Sequence, residues 1–184
     1  MNLNLPNSLT LFRILVIPIM VYLFLSGDNS NRIITSVLFL LAIITDYLDG
    51  VAARTMNQHT NFGKFLDPIA DKLLIIIVLS LLLTENNSIF FILPALIIIT
   101  REFLVIAIRQ RLAELGKHSL IRVIFLSKIK TTAQMFSLFL LLYNQNIYNI
   151  HTYNLGIIFL QFASILTIIT FVYYVKKSWK IIIK

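Results

Sequence analysis

Six long apolar runs, separated by short polar breaks, leave this chain almost no way to fold in water. They cover residues 11–25, 33–45, 69–83, 89–99 with helical character continuing to 108, 131–143 and 155–175. Hydrophobic residues make up 58% of the 184 positions and charged ones only 13%, against roughly 25% charged in an ordinary soluble domain. That balance excludes a typical water-soluble globule. It also excludes a disordered chain, which needs low hydrophobicity and high charge. With no cysteine in the chain, a disulfide scaffold is excluded as well. Several runs are shorter than the ~20 residues that cross a bilayer core. They reach spanning length only if the flanking polar residues continue the same helices, which brings ionisable side chains to one membrane surface. The expectation is an all-α integral membrane protein, a single domain over residues 1–184 with six transmembrane helices.

A cleaved secretory signal is the competing reading of the first run. Residues 14–25 have a suitable length, but only Arg13 precedes them as a basic residue and no small-x-small cleavage site follows. Five further apolar runs favour a retained span.

Orientation follows from the bases. Net charge is +8, from sixteen basic and eight acidic residues. Arg32 lies between the first and second runs, and no base lies between the third and fourth or the fifth and sixth. The other fifteen flank the opposite ends: Arg13; Arg54, Lys64 and Lys72; seven from Arg101 to Lys130; and Lys176, Lys177, Lys180 and Lys184. Under the positive-inside rule this asymmetry puts both termini in the cytoplasm. The basic excess then reads as membrane orientation and contact with anionic lipid headgroups, with no nucleic-acid partner.

Four of the eight acids, Asp46, Asp49, Asp67 and Asp71, fall within 26 residues at the cytoplasmic ends of the second and third spans. Spacings of i, i+3 and i, i+4 put each pair on one helix face. Two antiparallel helices joined by the loop 57–60 would bring the pairs together. On insertion scales an aspartate near a helix centre costs ~2.5–3.5 kcal/mol, so four would cost on the order of 10 kcal/mol, less at the interface. Something cationic has to offset their repulsion. Hard carboxylates without histidine or cysteine suit two divalent cations, Mg²⁺ or Mn²⁺, and carboxylate-bridged metal pairs serve phosphoryl chemistry. Gly50, Ala53 and Gly63 would let a phosphorylated ligand approach the backbone. Arg54 offers a fork suited to phosphate oxygens. The bland alternative is that the small residues permit tight helix packing while Arg54 snorkels to the interface.

Written out, Asp46-x-x-Asp49-Gly50-x-x-Ala53-Arg54, eight residues, Gly63-x-x-x-Asp67-x-x-x-Asp71 resembles the full signature of the CDP-alcohol phosphatidyltransferase family, with every fixed position matched. The resemblance implies a six-helix membrane enzyme, commonly a homodimer, with its active site at the cytoplasmic interface. Such an enzyme moves the phosphatidyl group of CDP-diacylglycerol to an alcohol and releases CMP. It further implies that Asp46, Asp49, Asp67 and Asp71 are metal ligands, with Asp71 also the general base. Gly50, Ala53, Arg54 and Gly63 would form the edge that binds CDP-diacylglycerol, and Thr60 would contact the nucleotide. The opening Pro6-Asn7-Ser8-Leu9-Thr10-Leu11-x-Arg13, followed by Pro18, resembles the family's N-terminal element. The resemblance implies that Asn7 and Thr10 would contact the nucleotide, and a helix N-cap is an equally good reading of either.

The acceptor is read from the remaining cytoplasmic residues. Arg101 and Arg109 are eight apart and share a helix face, and Lys128 and Lys130 stand where the fifth span enters the membrane. Four bases beside a carboxylate cluster make sense for an anionic acceptor such as a phosphorylated polyol. Thr100-Arg101-Glu102-Phe103 and Lys128-x-Lys130-Thr131-x-x-Gln134 resemble the branch of the family that uses sn-glycerol 3-phosphate. Such an enzyme would lie in a bacterial inner membrane as a multi-pass protein. Other acceptors of the family, phosphatidylglycerol, inositol phosphate or serine, are the alternative. A cation transporter is a more distant one, since acid clusters also mark ion paths.

Overall fold

Each apolar run forms a helix, and each helix outlasts its run. The computed structural model describes residues 5–56, 61–115, 125–147 and 150–182. Among these, α1 (Leu5–Leu25), α2 (Asn29–Met56), α3 (Asn61–Glu85), α4 (Ile89–Glu114), α5 (Phe125–Tyr143) and α6 (Thr152–Ile182) follow in order. A short antiparallel hairpin of β1 (Asn146–Ile147) and β2 (Ile150–His151) joins the last two. The added turns are the polar ones: α2 runs on through Asp46 and Arg54, α3 starts well before Asp71, and α4 continues past Arg101. Even the 19-residue α5 is thereby roughly 28 Å long at 1.5 Å per residue, about the thickness of a bilayer core.

The polar breaks are terminated by ordinary local chemistry. Gly27 takes φ +78° after α1, the left-handed position where glycine ends helices cheaply. Ser88 opens α4, its hydroxyl accepting the Phe90 N–H at 3.3 Å. The hairpin is closed by Thr152, whose hydroxyl accepts the Gln145 N–H at 2.9 Å and donates to the Gln145 carbonyl at 2.8 Å.

α1 packs against both α2 and α3, α6 packs against α4 and α5, and α2 and α3 both meet α5. The core between them is built of Met20, Phe24, Phe39, Leu79, Leu82, Phe91, Ile98, Leu138, Leu141 and Leu160, each at most 2% exposed. The outer faces are also apolar: Leu15, Phe90, Phe125 and Ile158 are all at least 60% exposed. Among the described residues, Ile89–Leu112 and Thr152–Ser178 are long and apolar enough to cross a membrane, and only 33% of each spanning window is buried. Water-soluble proteins do not leave apolar bands of this extent open. At the end opposite the aspartates, Arg32 is neutralised by Glu85 of α3 at 2.6 Å and lies 5.2 Å from the Phe24 ring centroid.

α5 and α6 approach closely at Gly156. The Ser137 hydroxyl donates to the Gly156 carbonyl at 2.7 Å, and a Cβ on Gly156 would lie 2.7 Å from Leu141 Cγ. Gly156→Ala is therefore expected to lower stability by about 1–3 kcal/mol through overpacking, read as a lower Tm in detergent. Pairing it with Leu141→Ala should restore part of the loss. An unchanged Tm for the single variant would mean that this contact is loose.

Candidate active site

Carboxylates from α2 and α3 meet at a buried arginine of α1. Arg13 Nη1 lies 3.0 Å from Asp46 Oδ1 and forms an ion pair and hydrogen bond with Asp71 Oδ1. Arg13 is wholly buried, whereas the Asp46 and Asp71 side chains are 36% and 34% exposed. Each carboxylate is thus anchored on one side and open on the other. The arrangement follows from the inward face of α1, where Thr10, Arg13, Val16, Ile17, Met20 and Phe24 are all buried. Its upper part is apolar core, and at Arg13 the same stripe passes the polar ends of α2 and α3.

The sequence required a cation to offset the aspartates, and Arg13 supplies part of it from within the chain. From sequence, Arg13 counts toward orientation and closes the stretch that resembles the family's N-terminal element, and neither reading assigns it to the aspartates. Its register with Met20 and Phe24, seven and eleven residues on, was the available clue that it faces inward.

Continuous helix through both motifs preserves the expected registers. Asp46, Asp49, Gly50 and Ala53 fall on one face of α2, and Gly63, Asp67 and Asp71 on one face of α3. The side chains of Asn7, Asp49, Ala53, Arg54 and Asp67, and the surroundings of Gly50 and Gly63, lie outside the described residues, and Thr60 lies outside them altogether. Among the described residues no group of three or more metal-ligating side chains is gathered. Thr10 is 1% exposed, one turn from Arg13.

A second polar cluster adjoins the first through Lys72, the residue after Asp71. Glu102 of α4 is 1% exposed. Its Oε1 receives Lys130 Nζ and Arg101 Nη1, each at 2.9 Å, and its Oε2 receives Lys72 Nζ. Of the four bases expected on the acceptor side, Arg101 and Lys130 are therefore brought together, while Arg109 and Lys128 are exposed. Residues two apart point to different sides of a helix. With Lys130 turned inward and 2% exposed, Lys128 faces out, beside a groove of about 430 Å³ lined by Phe125, Ile129, Phe136, Phe159 and Phe162. Lys72 and Glu102 are members of this cluster not expected as site residues: the sequence counted Lys72 only toward orientation and Glu102 only within the resemblance at residues 100–103.

A polar site of this kind, on helices with apolar outer faces, agrees with the motif resemblance, and comparison with known families decides the matter. Residues 3–176 match the CDP-alcohol phosphatidyltransferase family. The chain belongs to that family. It is 36% identical over 180 residues to the CDP-diacylglycerol–glycerol-3-phosphate 3-phosphatidyltransferase of Wigglesworthia glossinidia brevipalpis, covering 98% of this chain and 97% of the relative. Proteins of the same name from Haemophilus influenzae and Escherichia coli K12 are 41% identical over 176 residues and 39% over 178. Those matches cover 96% and 97% of this chain and 94% and 96% of the relatives. Like other phosphatidyltransferases it is a membrane protein, which accounts for its apolar outer surface.

Proposed function

We propose that the protein transfers the phosphatidyl group of CDP-diacylglycerol to sn-glycerol 3-phosphate, giving phosphatidylglycerophosphate and CMP. The observation that carries this reading is the meeting of Asp46 and Asp71 at Arg13, beside basic side chains, in a chain that matches phosphatidyltransferases of that acceptor along nearly its whole length.

The carboxylates suit the divalent pair that the family's chemistry implies. They are hard oxygen donors, and the two that are described converge on one point with about a third of each side chain open. Asp46, Asp49, Asp67 and Asp71 would hold the ions. Bound there, Mg²⁺ or Mn²⁺ would neutralise charge on the diphosphate and on departing CMP. Gly50, Ala53, Arg54 and Gly63, with Asn7, Thr10 and Thr60, form the side that receives CDP-diacylglycerol. Arg101 and Lys130 receive the acceptor's phosphate from within, while Arg109 and Lys128, at the surface, draw the anionic acceptor toward the site by long-range attraction. Asp71 accepts the proton of the acceptor's 1-hydroxyl. That oxygen forms a bond to the phosphorus bearing diacylglycerol, and the bond from this phosphorus to the CMP oxygen breaks. Transfer is direct, without a covalent enzyme intermediate.

Purified protein given labelled CDP-diacylglycerol, Mg²⁺ and single acceptors tests this. Glycerol 3-phosphate should be used and free glycerol should not. Loss of two charge-assisted phosphate contacts, at roughly 1.5–3 kcal/mol each, costs a hundredfold or more. A preference for serine or inositol would overturn the acceptor. Loss of CMP release in chelator, restored by Mg²⁺, checks the metal.

The same reading has six spans with both termini cytoplasmic, supported by fifteen bases on one side against Arg32 on the other. Cytoplasmic reporters fused at the C-terminus should be active. Activity only of reporters that work outside would reverse the topology.

A further inference from the structure

Glu102 is an unusual place to put a carboxylate. At 1% exposure, it lies in the long apolar helix α4 and joins three helices, taking Lys72 from α3, Lys130 from α5 and its neighbour Arg101. Three bases and one acid leave the group two positive charges in excess, with Lys130 only 2% exposed. Lys130 has almost no water to balance that excess and Arg101 little, and only the Lys72 side chain, 27% exposed, reaches solvent to any extent. The donors are also incompletely used. Arg101 Nε and Gln134 Nε2 are both buried and have no hydrogen-bond partner among the described residues. Gln134, itself 1% exposed, follows Lys130 by one helical turn on the same buried face of α5. A phosphomonoester carries close to two negative charges and three acceptor oxygens, which matches both deficits.

We propose that Glu102 is a positioning residue for the acceptor. Its carboxylate holds Lys72, Arg101 and Lys130 as one fixed array facing the phosphate of the acceptor. Through Lys72 it also sets the distance of that array from Asp71. The inference rests on the reading that the acceptor is phosphorylated, and adds to it the residue that makes the phosphate site rigid.

The sign of the effect decides between two physical outcomes. Removing a negative charge from a phosphate site should tighten phosphate binding if the net charge alone matters. If geometry matters more, three cations that shared one carboxylate repel one another at short range and separate. The preorganised contact is then lost, and binding weakens. Burial of Glu102 and Lys130 favours the second outcome, because Lys130 has almost no solvent to replace the carboxylate and Arg101 has little.

The test uses full-length protein in lipid vesicles with Mg²⁺, CDP-diacylglycerol and a panel of acceptors. Glu102→Gln should raise KM for glycerol 3-phosphate about tenfold or more and leave KM for CDP-diacylglycerol within about twofold, with Glu102→Asp in between. An unchanged or lower KM for glycerol 3-phosphate in Glu102→Gln would overturn the proposal. So would an equal rise of both constants that Asp does not rescue, which is the mark of a purely structural group. Should Glu102→Gln not fold, Lys72→Gln takes its place, with the same selective rise expected and no change overturning the proposal. Wild-type protein that used only unphosphorylated acceptors would defeat the acceptor reading itself, a result visible before any variant is compared.

Discussion

Asp71→Asn should leave a folded protein that binds CDP-diacylglycerol but turns over at least about a hundredfold more slowly, the lower end of what a positioned general base contributes. Asparagine has nearly the same shape as aspartate, but its amide cannot accept the acceptor's proton and is a poorer ligand for a hard cation. Folding should survive because Arg13 keeps its other carboxylate, Asp46, at 3.0 Å. The amide oxygen of residue 71 can still accept from Arg13 Nη1. Single-turnover assays and CDP-diacylglycerol binding, measured on the same preparation, separate the two effects. Retention of more than about a tenth of the parent rate, under 1.4 kcal/mol of barrier, would remove Asp71 from the base role.

Arg13→Met is expected to act first on stability. It removes the guanidinium on which Asp46 and Asp71 converge and replaces it with an apolar side chain in a fully buried position. Breaking a wholly buried ion pair costs about 3–5 kcal/mol. Here each carboxylate side chain is about one-third exposed, so about 2–3 kcal/mol is the reasonable expectation. In chelator the two acids then repel each other with nothing between them, and the Tm should fall clearly. Added Mg²⁺ should recover part of the deficit if the same carboxylates hold metal. Arg13→Lys, which keeps the charge, should recover more than any neutral residue. A variant as stable as the parent in chelator would show that Arg13 does not bind the two helices together.

The helices and their polar extensions were legible in the sequence because a bilayer imposes a simple rule. An apolar run too short to cross must be prolonged by its neighbours, and α2, α3 and α5 are all prolonged by polar residues. The pairing of β1 with β2 was not legible. Its strands are two residues each and are held by Thr152 against Gln145, contacts with no periodic pattern. The two aspartate pairs were equally plain, since i, i+3 and i, i+4 spacings fix a helix face whatever the tertiary arrangement.

Which cation meets which acid was a different kind of question. The positive-inside rule assigns fifteen bases of the sequence to the side of the aspartates, and all are alike to a rule that only counts them. Packing α1 against both α2 and α3 singled out Arg13, and the meeting of α3, α4 and α5 gathered Lys72, Arg101 and Lys130 at Glu102. The same packing left Arg109 and Lys128 at the surface. Sequence by itself therefore determined the membrane setting, the helices and the family of chemistry, because these depend on local composition and spacing. Only the tertiary structure decided the ion pairs, because they join residues up to 58 positions apart, and no local pattern encodes which distant helices will touch.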